Sequence, residues 1–441
     1  MSKLPSSRFE RGARMARTGA KVGTNYAKRR LQEKLGKKFD EESTSQFHKE
    51  NARKLYNEFA KLRGTALKLA QSISIDGSML PEEFSDVMAE AQYSVPPISK
   101  ALVRRIIQQE LGQPPEKIFN EFEPEAFAAA SLGQVHKAKL KDGTPVAIKV
   151  QYPNIQETIE SDLSIAKSIF KQLITTNKID AYFDEIRTTL VRETDYLEEG
   201  RHINLYHEWY TGDEVVTPRW IPEFSTGKVL TMTFLEGTHL SEFIHENETD
   251  TIKRDHFGQL LFNFFHDQVN SNCTLHADAH PGNFLYTKDG RLGVLDFGCM
   301  KQCPPDFFRD FLMLLPAHLN DDEQEIRRLY HKLEILEDEP EASENEMEIY
   351  EFSRQFADHF VEPYRYPEFD FGDEEFAEQT NKLVQRASEL AAPRGTEHFI
   401  FVSRLFVGVY RMVMKLGAKI KTEHGREKIE SFLESEASTE S

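Results

Sequence analysis

Three polar residues late in the chain have the types and spacing needed to handle phosphate. Asp278 and Asn283 are five positions apart in HADAHPGN, and Asp296 opens an Asp-Phe-Gly triplet thirteen residues further on. Phosphoryl transfer from ATP needs carboxylate and amide oxygens that hold Mg²⁺ on the phosphates, and a carboxylate that orients the acceptor. The pattern therefore predicts that Asp278 orients the acceptor and that Asn283 and Asp296 bind the metal.

A lysine upstream could complete this set. Lys149 alternates with apolar neighbours in VAIKV at 146–150, which predicts a strand and places the ammonium to reach the α- and β-phosphates of ATP. An unpaired lysine would swing away from the phosphates, so a glutamate on a helix should hold it. Glu199 is our prediction for that partner, and Glu198 and Glu193 compete with it on sequence grounds.

Small residues form the segment that precedes this lysine by one hairpin. The run AAASLGQ begins with Ala128, Ala129, Ala130 and Ser131. Its position predicts a loop that covers the phosphates of a bound nucleotide, together with Lys149. Glycines in such a loop let the backbone approach phosphate oxygens, whereas alanines restrict the backbone and crowd the phosphates.

The 276–283 segment allows two other interpretations. His276, Asp278 and His280 alternate like metal ligands, which would suit a zinc or di-metal hydrolase. That hypothesis leaves Asn283 and the Asp-Phe-Gly triplet unexplained, and it lacks a convincing second cluster of ligands downstream. The plainer alternative is an ordinary turn with solvated neighbours, which leaves the same residues unexplained.

The elements that must position these residues change in character along the chain. Strand patterns begin near residue 126, with one predicted strand from 128 to 135, and they flank a tight turn at Asp142-Gly143. Residues 180–208 read as one helix, and two short strands around 284–286 and 292–295 flank Asp289-Gly290. Most of the sequence after 304 reads as helical. The sequence predicts an α+β fold with a strand-rich lobe before a helix-rich lobe. The predicted parts are a basic helical arm (1–49), a helical N-terminal extension (50–125), an N-lobe with a helical insert (126–235) and a helical C-lobe (236–441).

Charge and cysteine content narrow the function classes. The net charge of −18 argues against a general nucleic-acid binder, yet residues 1–38 hold twelve Lys and Arg against two Glu. That basic arm suits either a solvated helix or contact with a membrane surface. The apolar stretch 399–418 is interrupted by basic residues and reads as an amphipathic core helix. Three cysteines indicate a reducing, cytoplasmic compartment.

Together these segments resemble the UbiB/AarF family of atypical, coenzyme-Q-linked protein-kinase-like proteins. The resemblance covers most of residues 60–300. It is carried by AAASLGQVHKAKLKDGTPVAIKVQYP at 128–153, RETDYLEEG at 192–200, HADAHPGN at 276–283 and DFG at 296–298. It implies a kinase-like two-lobe fold, ATP and Mg²⁺ as cofactors, and a family Glu-x-Asp element on Glu193 and Asp195.

The resemblance also implies a device that gates the site. The family carries a Lys-x-Gly-Gln motif that folds over the site and blocks peptide substrates. The matching stretch here is Lys68-Leu69-Ala70-Gln71, with alanine where glycine is expected. Lys68 and Gln71 keep the polar contacts of the motif, and Lys68 is placed to meet Glu193.

The expected activity is therefore that of an ATPase or phosphotransferase with a non-peptide acceptor. After Asp-Phe-Gly no Ala-Pro-Glu-type motif closes an activation segment, and helices resume near Pro305. The family resemblance suggests quinone or other isoprenoid-lipid metabolism at a membrane surface, with a lipid or quinone precursor as partner. The alternatives are a nucleotide-binding pseudokinase scaffold, an ordinary protein kinase and a small-molecule kinase.

Overall fold

The computed structural model places the described residues in two compact units. The first unit comprises residues 1–201, 219–234 and 385–392, and the second comprises 202–218, 235–384 and 393–441. The structure describes residues 8–37, 39–62, 87, 97–130, 132–173, 179–210, 212–270, 273–276, 278–337, 344–389 and 394–439.

Helices and short strands alternate along the chain. The helices are α1 (Arg8–Lys34), α2 (Glu41–Leu62), α3 (Lys100–Leu111), α4 (Pro115–Ile118), α5 (Ile155–Leu173), α6 (Ile179–Glu193), α7 (Tyr196–Trp209), α8 (Leu240–Glu246), α9 (Thr251–Asp267), α10 (Pro305–Leu319), α11 (Glu323–Lys332), α12 (Glu344–Val361), α13 (Glu374–Glu389), α14 (Glu397–Leu416) and α15 (Glu423–Thr439). The strands are β1 (Glu121–Phe122), β2 (Ala128–Ala130), β3 (Gly133–Lys139), β4 (Pro145–Gln151), β5 (Val215–Val216), β6 (Val229–Thr233), β7 (Thr238–His239), β8 (Thr274–His276), β9 (Phe284–Tyr286), β10 (Leu292–Val294), β11 (Met300–Gln302), β12 (Glu368–Asp370) and β13 (Lys419–Lys421).

An antiparallel sheet of order β1-β3-β4-β6, with β2 paired to β3, forms the centre of the first unit. Its two faces differ because side chains alternate along each strand. Val146, Ile148 and Val150 of β4 are fully buried in the hydrophobic core. The opposite face of the same strand carries Lys149. The predicted turn between β3 and β4 is present, with Gly143 at φ +91°.

Helix α1 belongs to the first unit rather than projecting from it. Val22 is fully buried and joins the core together with Ala52 and Leu55 of α2. The Tyr26 hydroxyl lies 2.6 Å from Nδ1 of His48, which also joins the two helices. The boundary that the sequence predicted between an arm and an extension, after residue 49, falls inside α2.

The second unit is mostly helical, as the sequence predicted. Its sheet of order β5-β10-β9-β7 is small, and β8 pairs with β11 while β12 pairs with β13. Leu405, Val409 and Met412 of α14 are buried, so this apolar stretch is the predicted core helix. Among the described residues, no helix is long and apolar enough to cross a membrane.

Candidate functional site

Lys149 and Glu199 form a buried ion pair in the first unit. The Lys149 Nζ lies 2.8 Å from Oε1 and 2.9 Å from Oε2 of Glu199. Lys149 is 6% exposed and Glu199 is 3% exposed, so water screens the pair poorly. Removing one partner would take away the opposite charge that lies 2.8 Å from the other, which is costly in a buried place. The geometry therefore fixes the lysine ammonium in one place on the sheet.

The start of α7 decides which glutamate reaches the lysine. Asp195 caps this helix, because its Oδ1 accepts the Leu197 amide at 3.0 Å. Glu199 then lies one turn into the helix and is buried, whereas Glu198 is half-buried and Glu193 is the last residue of α6. Of the three glutamates considered from the sequence, the structure pairs Glu199 with Lys149.

Tyr196 supports this ion pair, and the sequence analysis did not identify it. Its ring lies 5.1 Å from the Lys149 Nζ, a cation–π contact, and its side chain is buried. A Cβ at Gly133 would lie 2.4 Å from the Val150 carbonyl oxygen and 2.8 Å from the Tyr196 hydroxyl. The glycine therefore lets β3, α7 and β4 approach one another. The signal in the sequence was the position of Tyr196 three residues before Glu199 on a helix.

Gly200 lets α7 pack closely against the ring of Trp220. A Cβ at Gly200 would lie 2.4 to 2.6 Å from atoms of the Trp220 indole. Trp220 in turn forms an isolated bridge with Met232 of β6. The residue next to Glu199 is therefore packed without room for a methyl group, which restricts movement of the carboxylate.

The predicted alanine-rich loop is a tight hairpin on the same sheet. Ala128, Ala129 and Ala130 form β2, and Ala130 lies opposite Gly133 of β3. The sequence had predicted one strand from 128 to 135, whereas the chain turns back after Ala130. Ser131 lies outside the described residues.

An aromatic and cationic cluster shares the face that carries Lys149. The register places Val135 opposite Lys149 and Lys137 opposite Ala147, so these side chains lie on one face. The Lys137 Nζ lies 3.9 Å from the ring centroid of Phe127 and 4.8 Å from that of Phe234. Sequence reasoning missed these rings because they are 107 residues apart and meet only through the sheet.

Hydrogen bonds within the second unit hold Asp278 and Asn283 together. The Asn283 Nδ2 donates to the Asp278 carbonyl at 3.2 Å, which orients the amide. The Leu295 amide donates to the Asn283 carbonyl at 2.9 Å. These bonds connect the predicted catalytic loop to the residue before Asp296. Asp278, Asn283 and Asp296 are all half-buried.

His276 links the same loop to the magnesium candidate. Its Nε2 lies 2.6 Å from the Asp296 carbonyl oxygen and must carry the proton, because a carbonyl only accepts. Burial lowers the pKa of His276, so the ring is neutral. The Oδ1 of Asp296 accepts the Gly298 amide at 2.8 Å. The His276 ring is fully buried. Within the part of the chain that the structure describes, no group of three or more His, Cys, Asp or Glu could hold a metal ion, which weakens the hydrolase alternative.

The phenylalanine of the Asp-Phe-Gly triplet is anchored to α7. Phe297 is fully buried, and its ring centroid lies 5.1 Å from that of Tyr206. His202 Nδ1 lies 3.1 Å from the Phe297 carbonyl oxygen and donates to it. These contacts also escaped the sequence analysis, since His202 and Phe297 are 95 positions apart.

The donors present fit Mg²⁺ better than a zinc ion. Because the Asn283 Nδ2 donates to Asp278, the amide oxygen is directed away from that bond. One amide oxygen and the Asp296 carboxylate suit Mg²⁺, which usually binds one or two carboxylates and completes its shell with water and substrate phosphates. Among the described residues, no group of three or more His, Cys, Asp or Glu could hold a metal ion.

The residues predicted to gate the site are only partly described. Glu193 is buried at the end of α6, and Asp195 is half-buried as the cap of α7. Lys68 and Gln71, with the rest of the predicted KLAQ motif, lie outside the described residues. The contact predicted between Lys68 and Glu193 stays a prediction.

Comparison with known proteins identifies the family. Residues 90–330, more than half of the chain, match the model of the ABC1 atypical kinase-like domain. The chain belongs to the ABC1/AarF family. The resemblance to UbiB/AarF proteins and the kinase-like α+β fold predicted from the sequence are thereby confirmed.

Individual relatives of this ABC1/AarF chain include organellar kinases. It is 33% identical to the chloroplastic protein ACTIVITY OF BC1 COMPLEX KINASE 3 of Arabidopsis thaliana, over 65% of this chain and 41% of that protein. It is 28% identical to the mitochondrial atypical kinase COQ8 of Saccharomyces cerevisiae, over 71% of this chain and 63% of that protein. Matches to an Arabidopsis and a Synechocystis relative cover 40% and 47% of their lengths.

A solved structure resembles the chain over most of its length. This is Rv3197 of Mycobacterium tuberculosis, in complex with erythromycin. It is 26% identical in sequence with a TM-score of 0.62, and the match covers 88% of this chain and 97% of that one.

Proposed function

We propose that this ABC1/AarF protein is a Mg²⁺-dependent ATPase or atypical kinase that acts on a non-peptide acceptor. The observation that carries the proposal is the buried Lys149–Glu199 pair on a strand next to the alanine hairpin. A lysine fixed in this way serves phosphate binding, because the ammonium stays where the phosphates would lie. Its cost in desolvation is hard to explain by stability alone.

The first unit would bind the nucleotide. Lys149 would contact the α- and β-phosphates, and Glu199 would keep its ammonium oriented. The hairpin residues 128–130 would cover the phosphates, with less freedom of the backbone than glycines would give. The rings of Phe127 and Phe234, with Lys137 beside them, offer an apolar surface for the base.

The second unit would supply the metal ligands and the acceptor site. Asp296 and Asn283 would hold Mg²⁺. A bound Mg²⁺ would neutralise the charge that develops on the transferred phosphoryl group. Asp278 would accept a hydrogen bond from the attacking hydroxyl or water and orient it. The His276 bond to the Asp296 carbonyl would keep the two acidic residues in register. Positioning and charge stabilisation would account for most of the acceleration.

The short segment after Asp-Phe-Gly supports a non-peptide acceptor. Strand β11 begins two residues after Gly298 and α10 begins at Pro305, which leaves little chain for a peptide-binding platform. We propose an isoprenoid lipid or a quinone precursor as acceptor, or ATP hydrolysis coupled to its handling. The similarity to the atypical kinase COQ8 supports this direction.

Peripheral contact with a membrane surface belongs to the same proposal. One exposed face of α1 combines basic and apolar side chains: Lys21, Lys28 and Leu31 lie along it. Leu35, the residue after the helix, continues this face and is 78% exposed. Basic and apolar side chains on one face favour anionic lipid. Lys21→Glu with Lys28→Glu should reduce co-sedimentation with anionic vesicles, whereas Lys141→Glu should not. Equal binding of both variants would refute the contact.

A pseudokinase scaffold is the second candidate. The exposed alanines of β2 favour it, because their side chains narrow the space over the phosphates. The presence of Asp278, Asn283 and Asp296 argues against it.

Phosphate release from ATP separates the two functions. We expect Mg²⁺-dependent release from the native chain, enhanced by anionic vesicles or a phenolic quinone-precursor mimic, and a loss of at least about 100-fold in Asp296→Asn. ATP binding without release under any condition would favour the scaffold. Equal release by native protein and Asp296→Asn would refute the assigned site.

A further inference from the structure

Two buried cysteines face each other beside the candidate site in the second unit. Strands β8 and β11 are antiparallel, with Thr274 opposite Gln302 as the last rung of the ladder. Cys273 and Cys303 occupy the next rung, and the Cys303 amide donates to the Cys273 carbonyl at 2.8 Å. They are 7% and 2% exposed. Both are free thiols.

The backbone hydrogen bond between the two cysteines brings them near the separation that a disulfide needs. In a regular antiparallel pair, residues directly opposite have Cβ atoms about 4.5–5.5 Å apart. A disulfide needs about 3.5–4.5 Å, so the strand ends must close by roughly 1 Å. Cys273 ends the ladder at φ +56°, outside the extended region, where the backbone is not held by a further rung.

The local environment keeps the thiols protonated at rest. Burial raises the pKa of the Cys303 thiol to about 11 and also raises the pKa of the Cys273 thiol. Because the thiolate is the reactive form, both groups are inert near neutral pH unless this end of the ladder opens or the pH rises. A role in metal binding is not indicated, since no third ligand accompanies them among the described residues.

We propose that Cys273 and Cys303 form a reversible intramolecular disulfide under peroxide stress. One thiolate attacks a peroxide oxygen, which breaks the O–O bond, gives a sulfenic acid and releases water. The second thiolate attacks the sulfenic sulfur, which forms the S–S bond and releases the second water. In balance, two thiols and one hydrogen peroxide give one disulfide and two waters.

The position of this cysteine pair connects it to the candidate site. Strand β8 ends at His276, two residues before Asp278, and β11 begins four residues after Asp296. A covalent bond at the end of this ladder ties together the two segments that carry these carboxylates. Oxidation of the cysteine pair can therefore influence the positions of Asp278 and Asp296. Formation of the disulfide itself does not depend on the proposed activity.

Peptide mapping of the full-length Cys299→Ser variant tests the proposal. This variant removes the remaining cysteine and leaves the pair intact. The folded protein is treated with hydrogen peroxide at about pH 7 and about pH 9, quenched by alkylation and digested without reductant. We expect a cross-linked peptide joining Cys273 and Cys303, formed faster at the higher pH, carried by monomeric protein and removed by dithiothreitol.

The control and the contrary result are equally direct. Cys299→Ser with Cys303→Ala should give no cross-link under the same treatment. The proposal is overturned if the folded Cys299→Ser protein yields only separate alkylated or over-oxidised peptides at both pH values. It is also overturned if the cross-link forms only after unfolding in guanidinium, because the folded ladder would then not hold the thiols in reach.

Discussion

The candidate residues of the two units are held in place by different interactions. In the first unit, Lys149 and Glu199 form an ion pair that is almost inaccessible to water, although the two residues are 50 positions apart in sequence. In the second unit, Asp278, Asn283 and Asp296 are half-buried and are positioned through backbone groups, as in the bonds from Asn283 Nδ2 to the Asp278 carbonyl and from Leu295 to Asn283.

Because of this difference, substitutions in the two units should affect stability and activity differently. Breaking a buried ion pair leaves a charge in a poorly polarisable interior, so the first part should affect folding and nucleotide binding together. A half-buried carboxylate that is positioned through its main chain can lose its charge while the fold persists. Substitutions in the second part should therefore remove activity from a protein that stays folded.

The largest expected effect is that of Glu199→Gln on the first unit. The buried Lys149 ammonium would lose the negative charge of Glu199 at 2.8 Å, and the free energy of unfolding should fall by about 3–5 kcal/mol. The double variant Lys149→Met with Glu199→Leu should recover much of this loss but still fail to bind ATP. Denaturant unfolding and equilibrium ATP binding measure the two quantities.

Glu198→Gln is the matched control, because Glu198 is adjacent in sequence and half-buried. Its free energy of unfolding should lie within about 0.5 kcal/mol of the native value. If Glu199→Gln were no more harmful than Glu198→Gln, the ion pair would not be the element that organises the first unit.

A smaller and opposite pattern is expected from Gly408→Ala in α14. A Cβ at Gly408 would lie 2.9 Å from the Ala279 Cβ, next to Asp278. The displaced loop should lower phosphate release several-fold, while ATP affinity stays near native and stability falls by about 1–3 kcal/mol at most. Gly227→Ala is the control, since no heavy atom lies within 4 Å of its added Cβ. Equal loss in both variants would show that the contact with Ala279 is unimportant.

Acid should destabilise the second unit gradually, through its buried histidines. Burial lowers the pKa of His266 and of His359 to about 4. Because the unfolded state binds their protons first, stability present above about pH 6.5 is lost as the pH falls toward about 4. His359→Gln keeps a partner for Thr380 and should reduce the slope by up to about 1.4 kcal/mol per pH unit.

The two tryptophans allow this loss to be assigned to a unit. Trp209 lies in the second unit and Trp220 in the first. Fluorescence of the Trp220→Phe protein should therefore report the acid-sensitive transition, and the His359→Gln substitution should flatten its pH dependence. An unchanged slope would mean that His359 is not neutral in the folded state.

The sequence was most informative where function depends on local spacing. Asp278, Asn283 and Asp296 were proposed as site residues from offsets within a short segment, and the hairpin of β9 and β10 was predicted from its Asp289-Gly290 turn. Helix α10 begins at the predicted proline. Such patterns depend on neighbours in the chain, so propensity and turn chemistry are sufficient to read them.

Long-range contacts and very short strands could not be read in this way. Glu199 was one of three candidates because its pairing depends on where α6 ends and α7 begins, at Thr194-Asp195. The sequence had predicted a single helix over 180–208, since the cap of α7 interrupts a periodic pattern only briefly. Strands β8 and β11 have three residues each, too few to show a period of two.

Equilibrium ATP binding with and without Mg²⁺ tests most directly whether the two parts divide the work as proposed. We predict that Mg²⁺ strengthens binding to the native chain, that Asp296→Asn keeps the metal-free affinity but loses the enhancement, and that Lys149→Met weakens binding in both conditions. Native-like enhancement by Mg²⁺ in Asp296→Asn, in a folded protein, would contradict the assignment of the metal to the second unit.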